Sequence, residues 1–157
     1  MTTLLLRSAE DTTALGAAIA AALADRAGAV VYLQGRLGAG KTTVARGLLR
    51  ALGVTGTIRS PTYTLLEPYE LAGRALIHLD LYRLDHERDL EPLGLRDYPP
   101  ERCWWLIEWP ERAAARLPAA DLAVRLAHDA HGRRVELTGP QARLVAGRVH
   151  EITQIVV

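Results

Sequence analysis

Gly35-Arg36-Leu37-Gly38-Ala39-Gly40-Lys41-Thr42 sets an ammonium and a hydroxyl directly after a glycine-rich loop. The spacing is G-x-x-x-x-G-K-[ST], in which backbone N–H groups wrap a nucleotide's phosphates. Lys41 is the only lysine of the chain, against eighteen arginines. Arginine's planar fork would crowd such a loop, whereas a compact ammonium delivers a point charge between the β- and γ-phosphates. Thr42 then offers its hydroxyl to a magnesium ion, which partly neutralises the triphosphate. The competing reading, a glycine-rich turn with Lys41 in solvent, gives no reason for the single lysine to stand there.

A P-loop normally completes its metal site with a carboxylate from another strand. Two acids stand where an apolar run gives out. Glu108 ends Trp105-Leu106-Ile107, and Asp80 lies in Ile77-His78-Leu79-Asp80-Leu81-Tyr82-Arg83. The wholly apolar run before Glu108 assigns it to the metal. Asp80 is left to orient or deprotonate an attacking water, to act as a second, outer ligand, or to pair with Arg83. Ser60-Pro61-Thr62-Tyr63 follows the P-loop helix, where a hydroxyl-rich loop could sense the γ-phosphate and its metal. Ser-Pro-Thr is also ordinary turn chemistry. The guanine-reading pattern Asn-Lys-x-Asp needs an Asn and a second Lys, and the chain has neither, so ATP is favoured over GTP. Trp109 leaves its strand beside these groups, placed to stack on a base, to meet a partner, or to pack under the Pro110 segment.

Hydrophobic periodicity supplies the elements that must hold these residues. Leu4 to Leu6 and Val30 to Leu33 read as strands, the second buried on both faces because its run is unbroken. Leu15, Ile19 and Leu23 recur every four residues and predict a helix from Thr12 to about Arg26. Val44, Leu48 and Leu52 mark a second helix, ended by Gly53, whose N-terminus points its free N–H groups at the loop. Thr62 to Glu67 and Ala75 to Leu81 are strand candidates joined near Gly73. A short charged helix is expected from Asp85 to Leu93, a buried strand from Trp104 to Ile107, and a helix from Pro110 to Leu117. Asp121 to His128 and Arg133 to Thr138 pair around Gly132, and Gln141 to Val149 closes the series as a helix. Strands and helices alternate early and antiparallel pairs follow. The class is therefore α/β, one domain over residues 1–157, with a mixed, mainly parallel sheet flanked by helices.

Composition narrows the rest. A chain of 157 residues buries about 70% of its unfolded surface, enough for one core. A net charge of +1 is no footprint for avid nucleic-acid binding. One cysteine, Cys103, excludes an internal disulfide, and its place at the head of an apolar run makes a buried, inert thiol the expectation. Neither a signal pattern nor a stretch of membrane-spanning length is legible, so the expected compartment is cytoplasmic. His128 and His131 form the one close histidine pair, a poor start for a zinc site.

Four motifs stand in order: the Lys41 loop, Ser60-Pro61-Thr62-Tyr63-Thr64-Leu65, His78-Leu79-Asp80-Leu81-Tyr82-Arg83, and Glu108-Trp109-Pro110. Together they resemble the TsaE (YjeE) family, the P-loop ATPase component of bacterial tRNA threonylcarbamoyladenosine synthesis. The resemblance runs from about Thr12 to Arg133 and implies a small P-loop NTPase-like domain. It implies that the chain binds and hydrolyses ATP to support turnover by TsaB and TsaD, with tRNA contacted through those subunits. By resemblance Gly38, Ala39, Gly40, Lys41, Thr42 and Thr43 cradle the phosphates. Thr42 and Glu108 hold Mg2+, and Asp80 with Lys41 serves catalysis. Thr12 and Arg133 lie near the nucleotide. Arg36 departs from the family, which usually places an acid there. A second class fits the same loop: a small-molecule kinase that transfers the γ-phosphoryl group under an arginine-bearing lid, with Arg83, Arg88 and Arg96 as the lid's cations.

Overall fold

The computed structural model describes residues 1–71 and 73–152. Seven strands form one sheet: β1 (Thr2–Leu6), β2 (Ala29–Gln34), β3 (Leu66–Leu71), β4 (Arg74–Asp80), β5 (Cys103–Glu108), β6 (Leu122–Asp129) and β7 (Gly132–Thr138). Among the described residues three α-helices accompany them, α1 (Ala9–Ala22), α2 (Lys41–Ala51) and α3 (Ala142–Ile152). The sheet order is β1-β7-β6-β2-β5-β4-β3. Its centre, β6-β2-β5-β4, is parallel, and antiparallel pairings extend it at both edges. The fold is the expected α/β arrangement, with the P-loop strand in the middle. No described helix is long and apolar enough to cross a membrane.

Strand alternation sorts side chains between two cores. Leu76, Trp104, Leu106, Leu122, Val124, Val135 and Leu137 join Leu15, Ile19, Val44 and Leu48 beneath the helices. On the other face Val30, Ile77, Leu79, Trp105 and Ile107 pack with Leu84, from the segment after β4, and with Leu90, from the 3-10 helix Glu87–Leu93. The neighbours Trp104 and Trp105 thus face opposite ways, as a strand requires. Cys103 is buried at the head of β5, and burial pushes its thiol up to about 11, so it stays protonated.

Helices α1 and α2 meet backbone to backbone. A Cβ added to Gly16 would lie 2.2 Å from the Val44 carbonyl oxygen, and one on Gly47 would lie 2.2 Å from that of Thr13. These glycines set how closely α2, and with it the phosphate loop, can approach the rest of the domain.

Several elements differ from the sequence expectation, and the charged helix expected from Asp85 to Leu93 is a 3-10 helix over Glu87–Leu93. Helix α1 starts earlier because Ser8 caps it, its side chain accepting from the Asp11 N–H at 3.0 Å. The strand expected from Thr62 to Glu67 begins only at Leu66. Thr62 to Leu65 turns instead: Ser60 and Thr62 spend their hydroxyls on Asp80, and Leu65 takes a positive φ of 65°. Pro68 lies inside β3, which an edge strand tolerates. From Pro110 to Leu117 the chain forms two 3-10 turns rather than one helix, because Ala113 leaves helical geometry at φ −146°.

Candidate functional site

The C-terminal ends of β2, β5 and β4 bring the chemistry to one cleft on the helix-covered face. Gly38, Gly40, Lys41, Thr42, Thr43, Ser60, Thr62, Asp80, Tyr82, Glu108, Trp109 and Arg133 line it. Helix α2 opens into this cleft. Gly40 precedes it at φ 111° and supplies no capping side chain, and no acid occupies the first turn. The leading N–H groups and the positive end of the helix dipole therefore face the cleft, a setting that favours phosphate. The positive φ of Gly40 favours glycine, and the space beside it is tight. A Cβ there would press on Arg133 Nε at 3.1 Å and Thr12 Cγ2 at 3.2 Å.

Lys41 is buried, and its ammonium donates to the carbonyls of Gly35 (2.7 Å) and Arg36 (2.8 Å). Trp109 covers it, with the ammonium 4.1 Å from the ring centroid. Burial lowers the Lys41 pKa; the nearby carboxylates Glu108, Glu111 and Asp80 oppose that shift. Trp109 reaches this position because the chain turns sharply after β5, with φ 59° at Trp109 and its N–H bonded to the Leu33 carbonyl. Such a conformation costs roughly 1–3 kcal/mol in a non-glycine residue and clusters at functional sites. Tyr82 packs on the same ring, centroids 5.0 Å apart. Trp109 is thus a cover for the lysine, an arrangement none of its sequence-based alternatives included.

The acids form another side of the cleft. Asp80 and Glu108 are register partners at the ends of the parallel pair β4–β5, and both are buried. Thr42 Oγ1 donates to Glu108 Oε1 at 2.8 Å. Asp80 Oδ2 accepts from Ser60 (2.5 Å) and Thr62 (3.1 Å), and its Oδ1 accepts from the Tyr82 N–H (3.0 Å). Ser60 also lies 3.3 Å from Glu108 Oε2. The expectation that Asp80 could simply pair with Arg83 is not met. Arg83 instead stacks on exposed Tyr63, 4.4 Å from its centroid. Sequence reasoning quoted His78 in a motif but gave it no role, and the structure sets its Nε2 2.7 Å from Glu108 Oε2. The signal was available: two residues before Asp80 on a strand, His78 must face the same side.

Other expected site residues take less direct positions. Ala39 points into the core, its N–H bonded to the Arg36 carbonyl. Thr12 is fully buried, and its hydroxyl donates to the Ser8 carbonyl at 3.1 Å, so its methyl packs beneath Gly40. Arg133 lines the cleft, and its Nε is buried with no hydrogen-bond partner. Arg36 is exposed and lines a different cavity of about 720 Å³ behind the loop, with Leu37, Trp109, Arg125 and His128. That cavity is larger than the phosphate cleft but contains neither Lys41, Thr42 nor either buried acid. Leu84 and Leu90 anchor the stretch from Arg83 to Arg96 in the core, a poor arrangement for a lid.

A glycine-rich loop between a central parallel strand and a helix, with a lysine, a hydroxyl and a strand-end carboxylate converging on it, defines a P-loop nucleotide-binding domain. The model of the family described as "Threonylcarbamoyl adenosine biosynthesis protein TsaE" matches residues 6–135. The chain belongs to the TsaE family. It is 47% identical over 108 residues to the tRNA threonylcarbamoyladenosine biosynthesis protein TsaE of Haemophilus influenzae, covering 69% of this chain and 68% of that one. The Treponema pallidum protein of the same name is 41% identical over 131 residues, covering 82% and 93%. In three dimensions the chain is similar to the crystal structure of Bacillus subtilis YdiB. The TM-score is 0.72 at 28% identity, over 96% of this chain and 94% of that one.

Proposed function

We propose that this chain is the ATP-binding and ATP-hydrolysing component of tRNA threonylcarbamoyladenosine biosynthesis, supporting turnover by TsaB and TsaD in the cytoplasm. One observation carries the reading. Thr42 and Glu108, the hydroxyl and carboxylate that a P-loop lends to its metal, meet at 2.8 Å beside the single lysine. Both are hard oxygen donors suited to Mg2+, which when bound neutralises part of the triphosphate's charge. Among the described residues no group of three or more His, Cys, Asp or Glu is arranged to hold a metal by itself.

The chain's own residues would divide the work as follows. Lys41 exchanges the Gly35 and Arg36 carbonyls for phosphate oxygens, and the N–H groups opening α2 add their donors. Thr42 and Glu108 would hold the ion. Asp80, presented by Ser60 and Thr62, orients the attacking water and takes its proton. The Ser60–Leu65 loop rests on Asp80 through those hydroxyls and through the Leu65 carbonyl, which accepts the Asp80 N–H at 3.0 Å. A change at the γ-phosphate would therefore be felt in the loop. The near-neutral chain leaves most of the tRNA to its partners.

The test is reconstitution with TsaB, TsaD, tRNA and ATP, following released phosphate and modified nucleoside together. Repeated turnover that needs this chain and its Lys41 is expected. Repeated turnover without the chain, or a phosphorylated small molecule in place of free phosphate, would overturn the reading.

A further inference from the structure

We propose that His78 is a positioning residue that fixes the Glu108 carboxylate for magnesium, an assignment that rests on the nucleotide-binding reading above. His78 is fully buried in the middle of β4, beneath the helices. Its Nε2 lies 2.7 Å from Glu108 Oε2, while Glu108 Oε1 receives the Thr42 hydroxyl. The carboxylate is thus held at both ends. One oxygen is turned to the phosphate loop, and the other is pinned by a ring that the strand keeps from moving. Without the ring, Oε2 keeps only the longer 3.3 Å approach of Ser60, a loop residue.

Folding alone gives little reason for an imidazole here. Its Nδ1 is buried and has no hydrogen-bond partner, so the ring's polar atoms serve Glu108 and nothing else. Burying a polar group for one bond is unfavourable beside an apolar side chain of similar volume. With the proton on Nε2, toward the carboxylate, Nδ1 keeps a lone pair, which is less costly to bury than a stranded donor. Groups that hold a metal's carboxylate in this way typically change metal affinity ten- to a hundredfold when lost.

The experiment titrates Mg2+ into the nucleotide-loaded full chain by calorimetry, with nucleotide affinity in chelator as the control. His78→Leu and His78→Asn should weaken Mg2+ about ten- to a hundredfold and leave the chelator affinity unchanged. His78→Gln should stay within about threefold of the parent, because the amide nitrogen of Gln reaches the place of Nε2 while that of Asn falls at Nδ1. The Gln and Asn pair keeps the test decisive if the Leu variant does not fold. Variants that bind Mg2+ as tightly as a Mg2+-responsive parent would overturn the role of His78 and leave the nucleotide reading intact. Equal losses with and without Mg2+, or no difference between Gln and Asn, would reduce His78 to a packing residue. A parent indifferent to Mg2+ would overturn both.

Discussion

The cationic wall of the cleft is held by groups that an anion can replace, whereas each buried acid is already held in place by several polar partners. Lys41 rests on two loop carbonyls under the Trp109 ring, and Arg133 keeps a buried Nε with no partner. Asp80 and Glu108 accept from Ser60, Thr62, Thr42, the Tyr82 N–H and His78. One wall waits for its ligand, and the other is set before the ligand arrives. Charge-assisted bonds to phosphate are stronger than those to neutral carbonyls, so the lysine has reason to move. Carboxylates fixed in advance need little reorganisation when a cation or water comes, which is how preorganised sites gain rate.

Breaking the two walls should therefore have different signatures. The largest expected effect is on rate: Asp80→Ala should leave ATP affinity near the parent and lower partner-stimulated phosphate release by about 10²–10⁴-fold, the usual range for a lost general base. Lost ATP binding in that variant would move Asp80 into the binding set. Lys41→Ala should weaken ATP by about ten- to more than a hundredfold, from the loss of a charged bond worth roughly 1.5–3 kcal/mol. Lys41→Arg should not restore it, since the guanidinium cannot occupy the same buried point under Trp109. Equilibrium titration of each folded variant reads both.

Glu108→Gln keeps the shape of the acidic wall but removes its charge. It should flatten the Mg2+ dependence of binding; an unchanged dependence would transfer the metal to Asp80. The smallest effect is one of pH. Burial lowers the Lys41 pKa in the free chain, and phosphate favours the charged form, so the bound value must be the higher of the two. Affinity is then full below the free-chain value and declines as pH rises through it, beginning below the ordinary lysine range. Proton uptake on ATP binding at alkaline pH, seen as buffer-dependent heats, is the check. Uptake that persists in Lys41→Ala would assign it elsewhere.

The difference between the walls also explains what could be read from the chain in advance. The phosphate loop was legible because its function is a local spacing: glycines, a lysine and a threonine within eight residues, followed by a helix stripe at Val44 and Leu48. The strands β2 and β5 were legible because both faces are buried and their runs are unbroken. The acidic wall was only half legible. Asp80 and Glu108 could be named from their strands, but their pairing depends on the register of β4 against β5, which no local pattern encodes. Strand alternation alone puts His78 on the face of Asp80, but its contact with Glu108 rests on the same register. Trp109 over Lys41 was invisible because it depends on a left-handed turn at a tryptophan, against ordinary propensity. The Thr62–Leu65 turn reads as strand from its β-favouring residues, which the hydroxyl bonds of Ser60 and Thr62 to Asp80 divert.

The central claim is that the loop around Lys41 grips the phosphates of an adenine nucleotide. Calorimetric titration of ATP into the folded chain with Mg2+ present tests it most directly. Saturable heat at one site per chain, lost or strongly weakened in Lys41→Ala, is the expected result. A well-folded chain that gives no saturable heat, or a Lys41→Ala variant that binds as tightly as the parent, would contradict it.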